Sequence, residues 1–416
     1  MLSNSCDAPV SNIVFSYINI GSLKNKTTCI YQYICEDKID VLVITETWLF
    51  DKEDENVTYI NSFLPNGFSF KHCPRPDGRT GGGVGLIYRS SINVIIKASS
   101  SKSCNKMEQF EYIDCLLNQT NDARSSIRLI VVYRPPPTMT NGLKLKLFWE
   151  EWARFLSLYC GSSTEVIFVG YLNLHLDETD LASTKRFNSL IKEHTLIQHI
   201  KEATHTAGHI LDVLITKTES RIVPNSIRVH DPGFSDNLGN CTTVHHFAID
   251  FSFSYSKPQP IKKVIKYRNT ENVDMQTVSA ALENLHLENK LSECQDVDEM
   301  VSVFLDGLKH ILDLYAPEKT RTAIHRPHSR WFSSELQNMK IKKRRLERHW
   351  KKSRNEADRI LYRQYCSYYN GMLNKTRVKQ SLDDIEACGN DRAKLSKFCK
   401  TLIGRKKHEK ISYSGL

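Results

Sequence analysis

At 416 residues, 40% hydrophobic and 25% charged, the chain is long enough for two or three domains. No apolar run approaches the roughly 18 residues of a membrane span, and Met1–Val10 lacks the basic start and apolar centre of a secretory signal. The net charge of +10 is lopsided: residues 321–410 hold 25 Lys and Arg against 9 Asp and Glu, a local +16, and the rest of the chain is −6.

The first 250 or so residues alternate short apolar runs with helical patterns. Val14–Ile18, Val41–Ile44, Val84–Tyr88, Leu129–Tyr133, Val166–Val169, Ile210–Ile215 and Phe247–Phe253 read as strands. In the last, Phe247, Ile249, Phe251 and Phe253 share one face. Helices are expected over Lys26–Lys38, over Leu143–Tyr159 with an apolar stripe of Leu147, Trp152, Phe155 and Leu156, and over Ser183–Glu193, opened by a serine cap. Short strands with helices between them predict an α+β or α/β two-layered sandwich for residues 10–254.

Ser256-Lys257-Pro258-Gln259-Pro260 predicts a linker, taken as 255–270. Beyond it the pattern turns helical: an acidic segment over 271–319, then a basic one over 320–416 with a long helix from Trp331 to Arg377. The basic segment reads either as a surface for an anionic partner or as a solvated helical face. Its interleaved Trp331, Trp350, Tyr362, Tyr365, Tyr368 and Tyr369 either stack on bases or pack helix to helix. Twelve cysteines without a CxxC pair fit a reducing compartment, so a nuclear or cytoplasmic, non-secreted chain is expected.

Polar residues sit where the strands end, the position from which a rigid sheet aims short side chains. They are Asn19, Glu46, Tyr133, Asn173, Asp212 and Asp236. Each alone has an ordinary explanation as a turn, cap or edge residue; their order and surroundings change the reading. Asn19-Ile20-Gly21-Ser22-Leu23, Thr45-Glu46-Thr47-Trp48-Leu49, Gly81-Gly82-Gly83-Val84, Tyr133-Arg134-Pro135-Pro136, Gly170-Tyr171-Leu172-Asn173, Thr204-His205-Thr206 with His209-Ile210-Leu211-Asp212, and Ser235-Asp236 follow one another in this order. Together they resemble the endonuclease domain of a non-long-terminal-repeat retrotransposon, of the endonuclease/exonuclease/phosphatase family. The basic segment, with His328-Ser329-Arg330-Trp331-Phe332 and Lys343-Arg344-Arg345-Leu346-Glu347-Arg348-His349-Trp350, resembles what precedes the reverse transcriptase in such elements. The chain stops before any polymerase motif, as a truncated copy would.

The resemblance implies a four-layered α/β-sandwich and metal-dependent nicking of DNA, with Mg²⁺ or Mn²⁺ as cofactor. It implies Glu46, Asn19 and Asp236 as metal ligands, and Tyr133 and Asn173 as donors to phosphate oxygens. Asp212 would orient a histidine. Lys343, Arg344, Arg345, Arg348, Trp350 and Lys351 would bind DNA, or RNA, from the tail. Two departures stand out. Position 171, where the family has the aspartate that orients water, is Tyr171, whose phenol has a pKa near 10 and is a poor base. Loss of acid–base assistance costs about 10²–10⁴ in rate. The family's Ser-Asp-His reads Ser235-Asp236-Asn237, with an insertion before His245-His246. His246 either reaches Asp212 across that insertion or is an ordinary strand-start histidine. Two outcomes follow: an impaired endonuclease, or a non-catalytic relic that binds nucleic acid through its tail.

Overall fold

The computed structural model describes residues 12–50, 52–75, 81–100, 107–119, 122–138, 141–161, 164–235, 245–254, 262–270, 273–324 and 331–402. The chain opens with β1 (Ile13–Asn19), α1 (Thr27–Glu36), β2 (Val41–Thr45), α2 (Glu53–Phe63), β3 (Phe68–Cys73) and β4 (Val84–Arg89). There follow β5 (Asn93–Ser99), β6 (Glu111–Gln119), β7 (Asp122–Tyr133), α3 (Leu145–Cys160), β8 (Glu165–Tyr171), α4 (Ala182–Glu193), β9 (Leu196–Gln198) and β10 (Asp212–Lys217). Then come β11 (Arg228–His230) and β12 (Ala248–Phe253), which return to the first sheet.

Two six-stranded mixed sheets result, in the orders β11-β12-β1-β2-β4-β3 and β5-β6-β7-β8-β10-β9. Alternation along each strand explains why they stack. Val41 and Val43 of β2 point inward with Phe15, Leu86, Leu129, Val131, Ile167 and Val169, forming one core between the sheets. Leu42 and Ile44 point outward under Ile30 and Ile34 of α1 and Phe63 of α2. On the other side Ile130, Val132 and Phe168 are covered by Phe148, Trp152 and Phe155 of α3 and Phe187 of α4. Helix, sheet, sheet and helix make the four-layered sandwich that the resemblance implies, not the two layers expected from the strand and helix pattern, because both outer sheet faces are apolar and covered by helices.

Two local expectations need correction. Leu147 is 40% exposed, and the buried stripe of α3 runs Phe148, Trp152, Phe155, Leu156 and Tyr159, the strict helical period. Helix α4 begins at Ala182 after Leu181 and has no side-chain cap; Ser183 lies inside its first turn.

Residues 259–326 form a second unit. It is not purely helical: β13 (Lys262–Arg268) pairs antiparallel with β14 (Glu318–Ile324) and brackets α5 (Met275–Glu283), α6 (Leu287–Ser292) and α7 (Val297–Tyr315). The expected linker 255–270 therefore carries a strand from Lys262, while Ser256–Pro260 lies outside the described residues. The Trp331–Arg377 helix breaks in two, α8 (Ser334–Ser353) and α9 (Glu356–Glu386), followed by α10 (Arg392–Leu402). Arg354 takes a left-handed conformation, φ 53°, and Asn355 caps α9 by accepting from the Ala357 amide.

The α8–α9 hairpin belongs to the same unit as the sandwich. Arg344 donates to Asp37 at 2.7 Å, and Lys340 lies 3.4 Å from Glu36, both acids at the end of α1. Arg363 donates to Asp231 at 2.8 Å. Asn370 donates to the Gly233 carbonyl at 3.1 Å and to Ser235 Oγ at 3.0 Å. Gly233 has φ 68°, and a Cβ there would meet Cys366 Sγ of α9 at 2.6 Å. The loop leading to Asp236 is thus gripped by α9.

Candidate active site

Because β1 and β2 run parallel, Asn19 and Glu46 emerge on one edge of the first sheet. Asn19 Nδ2 donates to Glu46 Oε1 at 2.9 Å. Glu46 holds φ 56°, a left-handed conformation uncommon for a side chain of this size. Such strain persists where the surroundings over-determine it, a feature that clusters at functional sites. Here the amide of Ser22 bonds its carbonyl at 2.9 Å, and Thr47 and Trp48 pair with Gly83 and Gly82.

The second sheet contributes from the same end. Strands β7 and β8 are parallel and end together at Tyr133 and Tyr171, whose rings stack with centroids 5.9 Å apart. Gly170 permits this: its φ is 152°, and a Cβ there would strike the Val132 carbonyl oxygen. The Tyr171 hydroxyl donates to Asn173 Oδ1 at 2.8 Å, and Asn173 is itself left-handed, φ 51°. Asp212, first residue of β10, pairs opposite Tyr171 and is fully buried. It accepts from the Tyr17 hydroxyl at 2.8 Å and from His246 Nδ1 at 3.3 Å. The Tyr17 hydroxyl also meets Thr45 at 3.0 Å, so the two sheets are bridged here. His246 sets its ring edge-on against Tyr171, centroids 5.1 Å apart.

Seven expected residues therefore gather at one mouth: Asn19, Glu46, Tyr133, Tyr171, Asn173, Asp212 and His246. His246 does reach Asp212. Asp236 lies outside the described residues.

The electrostatics follow from burial. Burial pushes the phenols of Tyr133 and Tyr171 well above their usual range, with further upward pushes from Glu46 on both and Asp212 on Tyr171. Both are protonated donors at neutral pH. Burial would lower the His246 imidazole, but Asp212 outweighs it and the net shift is upward. His205, 5.0 Å away ring to ring, moves oppositely, down to about 4, through burial and its histidine neighbours.

Several site residues escaped the sequence reading. Glu111 lies across β6–β7 from Tyr133, accepts from the Gly83 amide at 2.6 Å and is paired with Arg75 at 2.7 Å. Burial raises its carboxyl. Tyr17 and Arg134 also serve: Arg134 donates to the Leu172 carbonyl at 3.0 Å and so holds the turn after β8. Arg134 and the Gly81–Gly83 run were part of the motifs; nothing local marked Glu111 or Tyr17. Beside the mouth an open groove of about 450 Å³ is lined by Glu46, Trp48, Arg75, Tyr133, Pro136 and Asn141. Carboxylate and amide oxygens, which Glu46 and Asn19 carry, are the ligand type that a hard cation prefers.

The tail residues fare differently. Arg344 is tied to Asp37 and Glu347, and Lys351 to Glu347. Burial would raise the Glu347 carboxyl, but Lys351 and Arg344 bring it down to about 2. Lys343 lies over the Tyr369 ring, and Trp350 stacks on the buried Tyr362 at 5.5 Å. Arg345 and Arg348 are exposed. Of the aromatics, Tyr362 and Tyr369 are packing residues, at 1% and 0% exposure, whereas Tyr368 is 60% exposed. No described helix is long and apolar enough to cross a membrane.

No known protein-family profile matches the chain, and no curated protein matches it. Solved structures do. The endonuclease domain of TRAS1, a telomere-specific non-LTR retrotransposon, is 15% identical, matched over 59% of this chain and 100% of its own, with a TM-score of 0.43. The AP endonuclease LMAP from Leishmania major is 14% identical over 61% of this chain and 91% of its own, TM-score 0.45. The 3′ phosphatase NExo from Neisseria is 12% identical over 58% and 100%, TM-score 0.40. The two stacked six-stranded sheets between helical layers by themselves establish a four-layered α/β-sandwich.

Proposed function

We propose that this chain is an impaired DNA-nicking endonuclease, which binds a phosphodiester at the strand-end mouth but lacks the group that readies water. The observation that carries the reading is the Tyr171 ring between Tyr133 and His246, its hydroxyl donated to Asn173. The resemblance has a carboxylate there; a phenol held protonated by burial cannot accept a proton from water.

The remaining groups suit phosphate binding. Tyr133 is a neutral donor near Glu46. His246, whose pKa Asp212 raises, would offer an N–H donor, and positive charge when protonated, where a pentacovalent phosphorus would develop negative charge. Glu46, with Asn19 and by resemblance Asp236, would hold Mg²⁺ or Mn²⁺, which when bound stabilises charge on the phosphate and the leaving oxygen. The alternative, a non-catalytic binder working through the tail, draws first on the exposed Arg345 and Arg348, the latter donating to the Arg344 carbonyl of its own helix at 3.2 Å, because Lys343, Arg344, Trp350 and Lys351 are engaged with other side chains.

The test is nicking of supercoiled plasmid by purified protein with Mg²⁺ or Mn²⁺. Slow nicking that Glu46→Ala removes is expected. Rapid nicking by the unaltered protein, equally lost in Glu46→Ala, would show that the site is not impaired. Nicking insensitive to Glu46→Ala would place the activity elsewhere.

A further inference from the structure

Next to the strand-end mouth, two loops bring together a second set of ligating side chains that the proposed chemistry does not use. The loop after β8 supplies His175, Asp177 and Glu178, and the turn before β10 supplies His209. The loops are laced by backbone bonds, Leu176 N–H to the Ile210 carbonyl at 3.0 Å and Leu172 N–H to the Leu211 carbonyl at 3.2 Å. The imidazoles of His175 and His209 face each other with centroids 4.1 Å apart. Glu178 Oε1 lies 3.0 Å from His175 Nδ1. One ligand atom from each of His175, Glu178 and His209 lies within 4.8 Å of the others.

We propose that His175, Glu178 and His209 bind one divalent transition-metal ion of the zinc class. Two imidazoles and a carboxylate are a usual set of three protein ligands that leaves a fourth position to water. Nitrogen donors select zinc-class ions over Mg²⁺, which prefers oxygens, so this centre is chemically distinct from Glu46 and Asn19. The outer partner is present too: Asp177 accepts from His209 Nδ1 at 2.9 Å and from the Ile210 amide at 2.8 Å. That pairing fixes the His209 tautomer with Nε2 as the ligand, the carboxylate–histidine–metal arrangement. With bonds of about 2.0–2.1 Å, tetrahedral donors stand roughly 3.4 Å apart. The side chains are a third to a half exposed, so they can close that distance without disturbing the core. A bound ion would staple the segment following Asn173 to the segment preceding Asp212.

The experiment uses the full chain, stripped with chelator and titrated with Zn²⁺ by calorimetry, with Co²⁺ absorption as a second reading. One saturating Zn²⁺ equivalent, visible Co²⁺ bands and a zinc-dependent rise in melting temperature are expected. All three should be lost in His175→Ala/His209→Ala. Asp177→Asn should weaken binding by about 10–100-fold, and Glu46→Gln should leave it unchanged, which separates this site from the nicking chemistry. Absence of saturable binding would overturn the proposal. So would equal binding by the double variant, or cobalt–thiolate absorption in the near ultraviolet, which would assign the ion to cysteines.

Discussion

Replacing Tyr171 by aspartate should trade stability for rate. The side chain is 8% exposed, stacks on Tyr133, meets His246 edge-on and donates one hydrogen bond. Deleting a buried aromatic ring costs about 3–5 kcal/mol, of which each ring pair accounts for about 0.5–1.5 and the hydrogen bond about as much. The new carboxylate also faces Asp212, its cross-strand partner, and Glu46 nearby. Like charges so placed are costly without a cation and should make the variant's stability rise on adding Mg²⁺. Against a typical total of about 5–15 kcal/mol this loss leaves a folded variant except at the low end of that range. Restored acid–base assistance should raise nicking about 10²–10⁴-fold, equivalent to about 3–5 kcal/mol of barrier. Tyr171→Asn is the control, since it opens the same space without supplying a base. Plasmid nicking should rise far more with aspartate than with asparagine, with folding checked by circular dichroism and urea midpoint. Equal rates for the two variants, or no gain from either while both are folded, would refute the role given to position 171.

Other consequences are as specific. His246 has a folded pKa above its unfolded value near 6.5, so its bond to Asp212 contributes stability that is fully present below pH 6.5 and is lost as pH rises through the folded value. His205, depressed to about 4, does the reverse: stability falls as pH drops from 6.5 towards 4. Histidine NMR titration should show His246 titrating above 6.5 and His205 well below; the opposite order would contradict this account. Arg363→Met strands Asp231, whose side chain is 4% exposed, and should cost about 3–5 kcal/mol. All five tryptophans lie outside residues 259–326, so the urea transition of the larger unit can be followed by fluorescence; an unchanged midpoint would mean the hairpin does not support the sandwich. If the exposed Arg345 and Arg348 contact phosphates, replacing both by glutamine should reduce the slope of log affinity against log salt by about 1.8; an unaltered slope would remove the tail from DNA binding.

Apolar runs bounded by glycine or proline located the central strands, because a strand buried on both faces needs continuous apolar residues. The motifs around Asn19, Glu46, Tyr133, Tyr171 and Asp212 located strand ends, whereas Ser235 lies in a loop and Asp236 outside the described residues; the substitution at Tyr171 was plain from the residue alone. The sandwich itself came from the resemblance and from alternation within β12, where Ile249, Phe251 and Phe253 all reach the inner core.

Other features depend on residues far apart in the chain. Tyr17 meets Asp212 across 195 positions and Arg344 meets Asp37 across 307, separations at which periodicity carries no signal. Glu111 became a site residue only because β6 lies beside β7 in the sheet. The basic tail shows the same limit: composition counted its charges, but packing decided that Arg344 and Lys351 face acids of this chain. The strand pair β13–β14 encloses three helices, a pairing no local pattern could announce. Sequence specified which side chains stand at strand ends, since that is a matter of period and punctuation. Tertiary structure decided which of them meet, since register and sheet order set every distance between them.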